Sequence, residues 1–345
     1  RTLRREARAL ISKGINPKIH KENQIKQAKE ERQNTFKKVA LKWFEIKKTE
    51  LKPSTAEKAL RLIELHLFPK LGKLPLNAIT AQETIRILQP VSDQGYLETV
   101  KRLCQRINEI MNFAVNTGVI TYNPLIGIKK AFESPTTQGQ KSISPDRLPE
   151  LMSALQASNM RIQTRCLVEW QLHTMTRPAE TATAKWCDID LDNKLWVIPA
   201  ENMKGKKAGE HKVPLTAQTI ALLEVMRSIS GHKEFIFPSL KNPTQHANTG
   251  ASNNAIKRSS IGKEQSGHGL RALARTTLTE QGFSYEASEA CLAHKVGSQV
   301  SQVYNRSTYM SQRIKIMKWW SEHIEQASIG NMSIVGNKGL KVVNS

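Results

Sequence analysis

The strongest constraint on this chain is a break in its apolar spacing. Residues 129–139, KKAFESPTTQG, are mostly polar with a proline and a glycine, and the patterns on either side differ. On the N-terminal side the spacing is helical throughout. Phe36, Val39, Ala40 and Trp43 recur at i, i+3, i+4 and i+7, with Thr35 placed to cap them. Ser54 can cap a second helix carrying Ala56, Leu60, Ile63 and Leu67. After the connection FPKLGKLPLNAIT, Thr80 opens a short third helix. Leu97, Val100, Cys104, Ile107, Met111 and Ala114 make one stripe of a fourth, which Asn116–Gly118 should end before NPL closes the unit. Residues 34–128 therefore predict a small, lysine-rich helical bundle.

Beyond the break the periods mix. ISPDRLPELMSALQ reads as a capped helix and RIQTRCLVEWQLHTM as a buried one. LWVIPA, with Trp196 and Ile198, and HKVPL, with Val213 and Leu215, read as two strands of a hairpin around the basic loop ENMKGKKAGE. TAQTIALLEVMRSI is helical, EFIFPS is a short buried segment, and helices are expected near 268–281, 284–293 and 308–326. In the last of these, adjacent Trp319 and Trp320 cannot share one narrow stripe, so one should pack and the other lie half exposed. The expected fold is multidomain and mainly α: a helical bundle, a linker at 129–139, and a mixed α+β domain at 140–326 with a small antiparallel sheet. Residues 1–33 read as a charged linker region and 327–345 as a tail without period.

Charge narrows the partner. Lys and Arg number 52 against 30 Asp and Glu, a formal charge of +22 on 345 residues. A folded chain this basic gains most by releasing counterions from a polyanion, which points to nucleic acid; a generally basic, ribosomal-type protein is the plainer alternative. Cys104, Cys166, Cys187 and Cys291 have no CxxC spacing and no neighbouring histidine pair, so neither a zinc knuckle nor a disulfide framework is expected. Small core cysteines in a reducing cytoplasm fit better. No secretory signal is visible, and no run of 18 apolar residues predicts a membrane span.

Four segments of the second domain hold residues that could do chemistry. TMTRPAE puts Arg177 at a helix start, where it also reads as an ordinary salt-bridged arginine, with Glu180 as partner. MKGKKAGEHKVPL carries Lys204, Lys206, Lys207 and Lys212 and reads either as a solubilising turn or as a phosphate contact. HGLRA places His268 and Arg271 at i, i+3, where both could reach one phosphate or simply face solvent. LAHKVGSQVSQVYNRSTY offers His294, Tyr304 and Tyr309, each of which taken singly reads as structural.

Taken in order, Arg…Lys…His-x-x-Arg…His…Tyr resembles the tyrosine recombinases, the phage-integrase superfamily. The words TRPAE, IPAENMK, HKVPL, HGLRA, LAHKVG and VYNR resemble its prophage and satellite-phage integrases, and the likeness runs over about residues 5–326. RREARALISKGINP resembles the end of that family's N-terminal arm-site DNA-binding domain, implying that most of that domain is absent here.

The resemblance implies a site-specific DNA recombinase. Tyr304 would attack phosphorus to give a 3′-phosphotyrosine, Arg177 and Arg271 would hold the phosphate, and His268 would transfer a proton. Lys204 would protonate the departing 5′-oxygen and His294 would bond the phosphate. Tyr309 is the fallback nucleophile, and Lys206 or Lys207 could replace Lys204. Sequence shows no nucleotide-binding loop and no carboxylate cluster, so neither ATP, a cofactor nor a metal is expected. The resemblance also implies a C-shaped clamp on double-stranded attachment sites, a homotetramer on paired sites, an accessory DNA-bending protein among possible partners, and a nucleoid-associated location in the cytoplasm. Within the same chemistry the rival is a type IB topoisomerase-like activity. Outside it the rivals are a DNA-binding relic and an RNA-binding protein.

Overall fold

In the computed structural model the described residues are 34–136, 139–203, 209–294 and 309–328, together with Arg5, Ala9, 11–14, 16–19 and Glu22 near the start. The chain divides into two compact units, Arg1–Thr137 and Gln138–Ser345, each with its own apolar core.

The first unit is helical. α1 (Phe36–Glu50) buries Phe36, Val39, Ala40 and Trp43, the stripe expected from spacing. Thr35 holds the N-cap position, but its hydroxyl makes no capping bond. Its backbone instead bridges Pro75, and Phe36 N–H bonds Leu74 O at 2.9 Å. α2 (Pro53–His66) starts ahead of the expected cap: Lys52 is the N-cap, and Pro53, whose missing N–H costs nothing at a helix start, puts Ser54 inside the first turn. That phase buries Ala59 and leaves Leu60 half-buried. α3 (Ala81–Asp93) is capped by Thr80, whose hydroxyl accepts Glu83 N–H at 3.2 Å, and it continues past Pro90.

α4 (Leu97–Asn116) buries Val100, Leu103, Cys104, Ile107, Ile110, Met111 and Ala114 and stops where Gly118 takes φ +72°. Asn123 then staples the closing turn to α4. Its amide donates to Asn108 at 3.1 Å and Asn112 at 2.7 Å, while its Oδ1 accepts Leu125 N–H at 2.8 Å. The core of this unit runs beyond residue 128: Ile128 is buried and Phe132, within the expected linker, packs against it, while residues 129–131 are exposed.

The second unit is built around α6. α5 (Leu148–Ala157) follows a short 3-10 turn at Pro145–Arg147. α6 (Ile162–Thr174) is buried at every residue from Arg165 to Thr174, as a helix covered on all sides must be. It ends at Met175, at φ 54°, and a short helix α7 (Pro178–Ala182) follows. Among the described residues the sheet has three antiparallel strands, β1 (Ile189–Asp190), β2 (Leu195–Ile198) and β3 (His211–Pro214), in the order β1-β2-β3. β2 and β3 form the hairpin read from sequence, with Trp196 opposite Val213. The two-residue β1 is too short to leave a period of its own.

α8 (Ala217–Ser230) is capped by Thr216. Ile236 and Phe237, from the EFIFPS segment, are fully buried. α9 (Ala251–Arg258) was not foreseen, because only Ser252, Ala255 and Ile256 of its eight residues are buried. Then follow α10 (Gly269–Glu280), α11 (Tyr285–Cys291) and α12 (Met310–Ala327). On α12 the tryptophans divide as expected. Trp320 is fully buried, with its indole N–H on Leu172 O at 2.8 Å, while Trp319 is half-buried between Phe283 and His323. Three cysteines are buried and Cys187 is exposed, so the core reading holds for all but that one. Among the described residues no helix is long and apolar enough to cross a membrane.

Candidate active site

Arg177 sits where α6 has ended and α7 begins, at the N-cap position with Pro178 as the first helical residue. Glu180, 2% exposed, accepts the Arg177 backbone N–H at 2.9 Å and its guanidinium Nη1 at 2.7 Å. Arg177 Nη2 reaches Ala293 O at 3.5 Å. The salt bridge that sequence offered as the ordinary reading is therefore present. It fixes the guanidinium without using all five of its donors.

Arg271 lies in the first turn of α10 and is 4% exposed. Nη1 donates to Met175 O, and Nη2 donates to Leu292 O at 2.6 Å and faces His294 Nε2 at 2.9 Å. Burial, then the charge of Arg177, push its pKa down to about 10 against Glu180 and Glu289, so it stays a cation at neutral pH. The glycine before it is required. A Cβ on Gly269 would stand 1.9 Å from Lys141 O, and this close approach also lets Ser142 Oγ donate to Gly269 O at 3.1 Å.

The end of α11 organises these cations. Carbonyls at a helix C-terminus lack intrahelical donors. Here two successive carbonyls are taken by side chains, Leu292 by Arg271 and Ala293 by Arg177. His211 is 8% exposed. Its pKa is pushed down to about 3, first by burial and then by the charge of Arg313, so the ring is neutral. Arg313, on α12, is buried and donates to Lys212 O, tying α12 to β3.

His294 follows directly. Ala293 turns through φ 51°, and His294 N–H bonds Glu289 O at 2.9 Å. Its Nδ1 lies 2.7 Å from Glu289 Oε2, and Arg275 Nε bonds the other carboxylate oxygen. Burial lowers the His294 pKa; the Glu289 hydrogen bond opposes this, and Arg271 reinforces it.

The structure thus brings Arg177, Arg271 and His294 together. His268 occupies the N-cap position of α10 and is exposed, while Arg271, three residues on, is buried; their link is Arg271 N–H on His268 O at 3.2 Å. Lys204, with Lys206 and Lys207, and Tyr304 lie outside the described residues. The lysine stretch 204–208 leads into β3, which opens with His211, and the stretch 295–308 starts immediately after His294. Lys212 is exposed and pairs with Glu210 at 3.2 Å. Tyr309, the fallback nucleophile, is half-buried at the N-cap of α12 and packs against the core.

Sequence reading missed Glu289, His211, Arg275 and Arg313, and saw Glu180 only as a partner that might occupy Arg177. Among the described residues no three His, Cys, Asp or Glu side chains converge as a metal-ligand set would.

Residues 141–310 match the phage integrase family and residues 36–131 match the phage integrase central domain. The chain is 41% identical to prophage integrase IntA of Escherichia coli K12, over 99% of this chain and 83% of that protein. It is 30% identical to the integrase of Enterobacteria phage P4, over 94% of this chain and 76% of that protein. The fold is similar to a lambda integrase dimer bound to a COC′ core site, with TM-score 0.61 and 18% identity over 79% of this chain and 98% of that one. A lambda integrase tetramer bound to a Holliday junction is equally similar, with TM-score 0.61 and 21% identity over 78% and 76%.

The architecture, mainly helical with one small antiparallel sheet, is that of the tyrosine recombinases. The chain belongs to the phage integrase family. Its activity is site-specific DNA recombination serving the integration of mobile elements.

Proposed function

We propose that this protein cuts and rejoins double-stranded attachment sites through a covalent 3′-phosphotyrosine on Tyr304. The observation that carries the reading is the convergence of Arg177, Arg271 and His294 at the end of α11.

The chemistry follows from charge. As a nucleophile adds to a phosphodiester, negative charge grows on the non-bridging oxygens, and fixed guanidiniums stabilise that charge without reorganising. Arg177 and Arg271 are held by Glu180 and by backbone carbonyls, so they are fixed before DNA arrives. The Tyr304 hydroxyl attacks phosphorus and gives up its proton, with His268 as the acceptor. The bond from phosphorus to the 5′-oxygen breaks, and Lys204 protonates that oxygen. A phenol of pKa about 10 needs both an acceptor and positive surroundings near neutral pH. His294 binds a non-bridging oxygen. The phosphotyrosine conserves the bond energy, so a 5′-hydroxyl from a partner strand can reverse the step and reseal the backbone without ATP.

The lysine-rich unit at 34–128 and the catalytic unit at 140–326, joined through 129–139, would both contact the duplex. Two sites need four cuts, which calls for a homotetramer. The lambda integrase bound to a Holliday junction as a tetramer supports that stoichiometry by analogy. An accessory DNA-bending protein and a cytoplasmic, nucleoid-associated site of action fit the same reading.

The test is strand exchange between two labelled duplexes carrying candidate attachment sites, with EDTA and without ATP. Joined strands from both duplexes are expected. Sustained supercoil relaxation without exchange would instead identify a topoisomerase-like enzyme. Salt-sensitive binding with neither would identify a DNA-binding relic.

A further inference from the structure

Beside the groups that would touch the phosphate, the site contains a carboxylate that would not. Glu289 is on α11 with a side chain 9% exposed. It holds His294 at two points: its Oε2 lies 2.7 Å from Nδ1, and its backbone carbonyl accepts the His294 N–H at 2.9 Å. Arg275, from α10, bonds its other carboxylate oxygen. On the far side of the ring, Nε2 lies 2.9 Å from Arg271 Nη2. A guanidinium has only donors. Nε2 is therefore the acceptor, and the ring proton sits on Nδ1 against Glu289.

We propose that Glu289 is a positioning residue that fixes the Nδ1–H tautomer of His294 and favours the imidazolium, which then donates from Nε2 to a non-bridging oxygen of the bound phosphate. The inference rests on the reading of His294 as a phosphate-binding group. A carboxylate behind a histidine sets both its tautomer and its basicity wherever the opposite nitrogen does the work.

The groups facing the ring explain why the charge state changes on binding. Arg271 on α10 and Arg177 at the start of α7 oppose a third positive charge, as does burial; Glu289 favours it. Behind these, Glu180 pairs Arg177, Arg275 pairs Glu289, and His211 on β3 is neutral. Burial would raise the Glu289 pKa, but Arg275 and His294 outweigh it and hold it down, so the carboxylate is charged. A phosphodiester anion takes donors from both site arginines and offsets their charge. Glu289 then prevails, and Nε2, released from Arg271, takes a proton from solvent.

Two readouts on the full chain test this. The first is imidazole nitrogen NMR of the DNA-free protein at neutral pH. The parent should show His294 protonated on Nδ1 and bare on Nε2, and Glu289→Ala, where Arg271 alone still favours that tautomer, should show a weaker preference. The second is the rate of covalent complex formation against pH. Glu289→Gln keeps an acceptor but loses the charge, so its alkaline limb should move to lower pH by about one unit. Glu289→Ala should slow the reaction by about 10–100-fold, with non-covalent DNA binding retained. If Glu289→Ala does not fold, Glu289→Gln and Arg275→Ala decide the matter, since Arg275→Ala frees the Glu289 charge for His294 and should move the limb the opposite way, to higher pH. An Nε2–H tautomer in the parent, or parental pH profiles in both charge-removing variants, overturns the proposal. Absence of any covalent complex would sink the phosphotyrosine reading instead, while the NMR result would still decide the tautomer.

Discussion

Glu180 binds Arg177 twice, accepting the backbone N–H at 2.9 Å and the guanidinium at 2.7 Å. One carboxylate therefore both caps α7 and aims the cation. Glu180→Ala leaves a largely buried arginine without its counter-charge. It should destabilise the protein by about 3 kcal/mol and lower cleavage by about 10–100-fold. Glu180→Gln, which still accepts the backbone N–H, should lose less of each. Urea melts and single-turnover cleavage would check both, and parental values for Glu180→Ala would contradict the account.

Arg271 cannot be replaced by lysine. Its two Nη atoms hold carbonyls from two different elements while Nη2 also faces His294. An ammonium is a single point of charge and cannot span them. Arg271→Lys should cost cleavage about 100-fold or more, with little loss of non-covalent DNA binding. A smaller effect, under tenfold, would show that the fork geometry is not used.

Gly269→Ala should damage the site from behind. The added Cβ would stand 1.9 Å from Lys141 O, so α10 or the 141–143 segment must shift. Reduced thermal stability together with slower cleavage is expected, and an unchanged melting temperature would argue against the packing described.

Two buried histidines should make the protein acid-labile. His173 is pushed down to about 3 by burial, and His211 likewise by burial and then Arg313. The unfolded chain takes protons on both as pH falls through the ordinary value of 6.5, while the folded chain refuses them until about 3. Their stabilisation is thus complete above 6.5 and is lost as pH drops toward 3. Replacing either with Gln should flatten the stability-versus-pH slope in that window by up to about 1.4 kcal/mol per pH unit. Slopes parallel to the parent would contradict the burial argument.

The two tryptophans of α12 should part company under mutation. Trp320→Ala removes a fully buried ring and its bond to Leu172 O, and should cost about 3–5 kcal/mol. Trp319→Ala removes a half-exposed ring stacked on His323 and should cost much less.

What sequence reading could reach depended on periodicity. The stripes of α1 and α4 and the alternation at Trp196 and Ile198 were legible because each element buries one regular face. α9 was not, since a mostly polar helix leaves no stripe, and β1 was too short to have a period. Of the site, Arg177, Arg271 and His294 were legible as ordered motif words. Glu289, His211 and Arg313 were not, because their roles exist only once the end of α11 meets α10, β3 and α12, a meeting that local spacing does not record. The Lys204 and Tyr304 assignments rest on motif order, and their chemistry is for experiment to decide.

That experiment is covalent trapping on nicked suicide duplexes, without metal or ATP, with Tyr304→Phe beside the parent. The account predicts a denaturation-resistant protein–DNA band from the parent and none from Tyr304→Phe, although both bind the duplex. A band that survives in Tyr304→Phe, or its absence from a parent that demonstrably binds and exchanges strands, would contradict it.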